Sequence, residues 1–169
     1  MKNIAALALL FITFSSCKTY QIPPDDEQVI GKTIDDWHKA ATEVKFDTYF
    51  SLMTDDAIFI GTDATENWNK EAFKAYSKPH FDKGKAWNFT AIERNIFLSN
   101  DKETAWFDEL LDTQMKICRG SGVMKKVNGQ WKIAHYVLSI TIPNDNVDDV
   151  VKIKSQFDNQ LIKELNSKK

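Results

Sequence analysis

Asn128-Gly129 is the feature that most narrows what this chain can become. An Asn-Gly pair between two β-rich runs marks a two-residue hairpin, because both central residues must take positive φ. The flanking runs are residues 119–127 and 131–142, so the turn sets a register. Val127 faces Gln130, Lys126 faces Trp131 and Met124 lies beside Ile133. Counted further outward, Gly122 falls beside His135 and Gly120 beside Val137. Strand alternation then predicts Trp131, Ile133, His135 and Val137 on the buried face. A polar ring there, next to a residue without a side chain, predicts one wall of a pocket.

Two more period-two runs, 87–98 and 104–114, precede the hairpin, joined by a turn at 99–102. Upstream the period is helical. Ile30, Ile34, Trp37, Ala41 and Val44 form one stripe over residues 27–44, and Phe46, Tyr49, Phe50 and Met53 mark a second short helix. Residues 57–60 read as a short buried strand and 61–69 as a loop. Asn69 is placed to cap a helix over 70–77, which Lys78-Pro79 should end. A last amphipathic helix, 147–165, carries Val150, Ile153, Phe157 and Leu161 on one face. Helices followed by four meandering strands predict an α+β fold with a strongly curved antiparallel sheet, covered on its concave side by the N-terminal helices. The extra C-terminal helix, within 146–169, either packs on the convex side or meets a partner chain.

The first 17 residues have the design of a targeting segment: Lys2, an apolar run from 4 to 14, then Ser15-Ser16-Cys17. The apolar run is too short for a permanent membrane span. The ending resembles a bacterial lipoprotein signal, which makes Cys17 the lipid acceptor and leaves plain secretion or a retained anchor as alternatives. Residues 18–27, with Pro23-Pro24, read as a tether. The expected location is the cell envelope, with the membrane met only through the lipid. Cys118 is then the single remaining thiol, so no intramolecular disulfide is expected, and a structural role suits it better than a nucleophilic one. A formal net charge of −2 offers no basic face for nucleic acid. The three His residues are isolated and no metal-ligand spacing or phosphate-binding glycine loop occurs, so no metal and no cofactor is expected.

The ending Gly129-x-Trp131-Lys132-Ile133-x-His135-x-x-Leu138-Ser139 resembles the nuclear transport factor 2-like superfamily, and within it the SnoaL-like branch. The helix carrying Trp37, Asp55-Asp56-Ala57, Glu71-Ala72-Phe73 and Arg119-Gly120-Ser121-Gly122-Val123 extend the resemblance over residues 28–143. It implies a conical fold around a deep pocket. Such folds host cyclases, isomerases, dehydratases and proteins that only bind, and they often dimerise through the convex sheet face. Where many SnoaL-like members carry a second His two residues after the first, this chain has Val137.

Candidate site residues follow from alternation and position. Trp106, Asp108, Leu110 and Asp112 share one strand face; Phe107, Glu109 and Leu111 share the other. Taking Trp106 as inward, like Trp131, makes Asp108 the inward acid. Asp108 and His135 then form a general acid–base pair, or alternatively a structural hydrogen bond. Asp63, Glu66 and Trp68 belong to the loop at the pocket mouth. Trp37, Tyr49, Tyr76 and Phe81, with Trp106 and Trp131, are expected to line the wall, and His80 to sit at the rim. His38 falls on the polar side of its helix. The expected function is binding of a small, partly hydrophobic molecule, with proton-transfer chemistry of the isomerase, dehydratase or cyclase type if any. The alternative is a dimerising interaction module.

Overall fold

The computed structural model of the chain describes residues 25–168. The expected targeting segment, Cys17 and the expected tether up to residue 24 lie outside the described residues. Asn128 and Gly129 both take positive φ, 52° and 76°, and Val127–Gln130, Lys126–Trp131 and Met124–Ile133 pair as the turn predicts. Strands β1 (Met53–Ile60), β2 (Asn67–Asn69), β3 (Phe89–Leu98), β4 (Thr104–Thr113), β5 (Lys116–Val127) and β6 (Gln130–Ile140) build one curved sheet. Its order is β2-β1-β6-β5-β4-β3, antiparallel except where β1 runs parallel to β6.

The predicted register fails immediately beyond Met124–Ile133. The next pair is Val123–His135, so Ala134 is an extra residue on β6. A bulge of this kind reverses which side chains face inward. Tyr136 and Leu138 are therefore buried, while His135 and Val137 turn to the other face. Gly122 lies opposite Tyr136 rather than His135, and Gly120 opposite Leu138 rather than Val137.

Helices α1 (Asp26–Thr42), α2 (Phe46–Ser51) and α3 (Lys70–Asp82) cover the concave side. Asp25 caps α1 by accepting from Gln28 N, and Asn69 caps α3 by accepting from Ala72 N. Ile30, Ile34 and Trp37 are completely buried, in one core with Met53, Leu111 and Tyr136. Several boundaries differ from expectation. β1 begins at Met53 and not at residue 57, so Met53 belongs to the sheet and not to the second helix. Residues 67–69, read as loop, pair with β1 as its edge strand. α3 continues through Pro79 for another turn, since Pro79 removes only one amide while the extension buries Phe81 among Phe46, Tyr49 and Trp87.

α4 (Val147–Asn166) has no buried residue. Its Lys154, Phe157 and Asp158 border a groove shared with the β1–β2 loop and with Val137 and Ser139 of β6, which puts the helix on the convex side. Among the described residues no helix is long and apolar enough to cross a membrane.

Candidate functional site: an aromatic cleft backed by a buried carboxylate network

The loop from β1 to β2 closes on itself. Gly61 N donates to Glu66 O and Glu66 N to Asp63 O, both at 3.0 Å. The Asp63 carboxylate accepts from Thr65 N at 2.9 Å and from Thr65 Oγ1, which hold its pKa below the usual value. Glu66 folds back so that Oε2 accepts from Asp63 N at 3.2 Å and lies over Gly61. A Cβ on Gly61 would stand 2.1 Å from that oxygen, so glycine is what admits the carboxylate here.

Beside this loop opens a cleft of about 170 Å³. Phe59 of β1, Trp68 of β2, Phe73 and Tyr76 of α3, Trp87 and Phe89 supply its aromatic wall. Several of these rings stack: Phe59 on Phe73 at 4.0 Å, Trp68 on Tyr76 at 4.5 Å, and Phe73 on Trp87 at 5.6 Å. Thr62, Glu66 and Gln114 add polar groups, and Met115 and Leu138 close the remainder. Burial first, and then the charge of Glu66, raise the Tyr76 phenol above its ordinary range.

Behind the cleft lies a different kind of cluster. Glu109 of β4 is 1% exposed and accepts four hydrogen bonds or ion-pair contacts. His38 Nε2 and Tyr136 Oη reach Oε1 at 2.8 and 2.9 Å; Arg94 Nε and Nη2 reach Oε2 at 2.9 and 2.8 Å. Arg94 also donates to Gly31 O at 3.2 Å and Asp35 at 2.8 Å, tying α1 to β3. Burial pushes the Glu109 pKa up, but the donors His38 and Arg94 outweigh it and hold the carboxyl below its ordinary range. The Tyr136 phenol is driven well above its usual value by burial and by the Glu109 charge. Gly120 makes room: a Cβ there would stand 2.2 Å from Tyr136 Oη and 3.0 Å from Glu109 Oε1. His38 Nδ1 is buried without a partner.

One aromatic layer separates the two clusters. Phe89 meets His38 edge-on at 5.6 Å, and Phe59 stacks on Tyr136 at 5.7 Å. His38 borders a separate groove between α1 and β3, with Asp35, Thr42 and Asn88. A proton on the His38–Glu109 pair thus has no direct path to a molecule in the cleft while Phe89 stays in place.

Of the residues expected in the site, Glu66, Trp68 and Tyr76 line the cleft. Asp63 faces the groove under α4, and His80 borders the shallow groove beyond Trp87. Trp37 and Tyr49 are completely buried and stacked on each other at 4.9 Å, and Phe81 is buried beside Tyr49; all three serve the core. Trp131 is buried at the far end, where Nε1 donates to Asp26 at 3.1 Å under Lys126. Trp106 faces outward, 48% exposed and stacked on Phe97. Asp108 and His135, expected inward, both face outward. Asp108 shares the outer face with Trp106 and accepts from Asn95 at 3.1 Å, and the β6 bulge turns His135 the same way.

The inward acid is Glu109, and its imidazole is His38, which the helical pattern placed on the polar side. A signal existed: Ala105, Phe107 and Leu111 share Glu109's face, and all three are buried. Trp106, on the opposite face, points the other way, because a lone large ring is a strong but unreliable sign of burial. Among the described residues no group of three His, Cys, Asp or Glu side chains is placed to hold a metal ion, and Cys118 is a buried free thiol.

Residues 30–143 match the family model for the SnoaL-like domain, and the chain belongs to that family. Solved structures agree on the fold. An NTF2-like protein of unknown function from Pseudomonas putida KT2440 superposes with a TM-score of 0.59 at 16% identity, over 71% of this chain and 89% of that one. An NTF2-like protein from Cytophaga hutchinsonii ATCC 33406 gives 0.59 at 18% identity, over 70% of this chain and all of that one. No curated protein matches the chain.

Proposed function

We propose that this chain is a cell-envelope lipoprotein, anchored through Cys17, whose SnoaL-like domain binds a small, partly hydrophobic molecule in the aromatic cleft. The cleft carries this reading. Concave, mostly aromatic sites with a few placed polar groups are where small ligands bind, and an engineered apolar cavity of about 150 Å³ in another protein accepts a benzene ring. Binding is preferred to catalysis because Glu66 and Tyr76 are the ionisable side chains lining the cleft. The His38–Glu109 pair stands one layer away, where it joins α1 to the sheet. Native mass spectrometry on residues 22–169, which contain every described element, tests the reading. A reproducible small-molecule adduct lost on Trp68→Ala is expected; an empty cleft in protein taken from its own host compartment would overturn it.

A second surface supports self-association. Phe97, Trp106, Val123 and His135 are successive partners across β3, β4, β5 and β6, and they form a largely apolar row on the convex face. Phe97 and Trp106 are about half exposed. We read this row as the centre of a homodimer interface, with sedimentation equilibrium as its test.

A further inference from the structure

The residues lining the cleft include six aromatic side chains, one carboxylate and no Lys, Arg or His. We propose that its ligand is a small organic cation of the alkylammonium class, seated against Trp68 and Tyr76 with Glu66 as counter-charge; this rests on the binding reading above. The faces of aromatic rings carry negative charge density, and cations are drawn to them most strongly where water is excluded. Trp68 and Tyr76 stack at 4.5 Å with their planes 26° apart beside the loop that holds Glu66, and Tyr76 is 45% exposed, so this ring pair forms the rim.

Glu66 is not a free surface acid. Its amide and carbonyl close the loop, Oε2 is fixed by Asp63 N, and Gly61 leaves the room it fills. The carboxylate is therefore held in place before a ligand arrives, which spares the ordering cost of binding. The Tyr76 phenol is raised first by burial and only then by the Glu66 charge, which is close enough to act on the rim. An anionic ligand would meet both Glu66 and the ring faces unfavourably. Lys85 and His80 belong to the adjoining groove beyond Trp87, outside the cleft lining. The N-terminus of α3, a source of positive potential, is already closed by Asn69.

The test compares two molecules of the same shape that differ in charge. Choline and 3,3-dimethylbutan-1-ol are titrated into the full-length chain in non-ionic detergent and followed by calorimetry. Choline is expected to bind roughly tenfold more tightly than the alcohol, as several ring contacts plus a counter-charge imply. Glu66→Gln should remove most of that ratio while leaving the affinity for the alcohol within about twofold. Equal affinities in the wild-type chain, or preference for the alcohol, would overturn the cation assignment and leave the binding reading standing. Failure of both probes while native mass spectrometry still shows an adduct would do the same. Failure of both with no adduct would overturn both.

Discussion

The two clusters of this domain sit one ring apart and solve opposite problems. Around Glu109 every carboxylate oxygen is engaged, from α1, β3 and β6, and removing either Arg94 or Glu109 strands a buried charge. In the cleft, rings stack on one another while Glu66 keeps a single backbone donor, so capacity is left over for something that is not part of the chain. Buried charge marks where this fold is held together; unsatisfied aromatic surface marks where it can act. Chemistry-bearing residue types do not by themselves mark the cleft, since the acid–imidazole pair of this protein lies outside its lining.

Replacing Glu109 by Ala should have the largest effect. It leaves Arg94 and His38 buried without their counter-charge and is expected to lower unfolding free energy by about 3–5 kcal/mol in urea melts. A loss near zero would mean that the network is not what ties α1 to the sheet. Gly120→Ala comes next, at about 1–3 kcal/mol, because its Cβ collides with Tyr136 Oη. In a Tyr136→Phe background that cost should shrink, and a double-mutant cycle reads the difference. Additivity of the two changes would show that the strain is relieved elsewhere.

Acid sharpens the contrast. The folded Glu109 carboxyl titrates below the ordinary glutamate value of 4.5, so the unfolded chain takes up its proton first as pH falls. The network's contribution is complete above that value and is lost as pH drops through the lower folded value. Comparing wild type with Glu109→Gln from about pH 6 downward, the stability gap should narrow with acidity; a constant gap would contradict the assignment. On the cleft side, Tyr76→Ser should change stability by no more than about 1 kcal/mol yet abolish ligand retention in native mass spectrometry. The smallest stability effect belongs to the convex face. Phe97→Ser with Trp106→Ser should stay within about 0.5 kcal/mol of wild type at the monomer level while converting a dimer to a monomer in sedimentation equilibrium. An unchanged mass would remove this row from the interface.

Much of the fold was legible in order along the chain. Residues 128–129 set their turn and the first pairs of the hairpin, and the helical stripe from Ile30 to Ala41 is buried as read. Site residues were legible only where a local feature defined them: Glu66, Trp68 and Tyr76 belong to the segment that forms the mouth. Phe73 of α3, Trp87 of the following connection, Phe89 of β3 and Gln114 of the β4–β5 turn come from four separate places, and no spacing joins them. His135 was misplaced by a single extra residue at Ala134, which hydrogen-bond alternation cannot foresee because both registers satisfy the same strand pattern.

The sequence by itself determined the α+β class, the hairpin turn, the helix cap at Asn69 and the family, since these rest on patterns among residues close in the chain. The tertiary structure decided which carboxylate is buried, which imidazole meets it and which rings enclose space. Glu109 lies 71 residues from His38 and 15 from Arg94. Their meeting depends on how the sheet curls and where β6 bulges, and curvature is a property of the packed sheet as a whole rather than of any one strand.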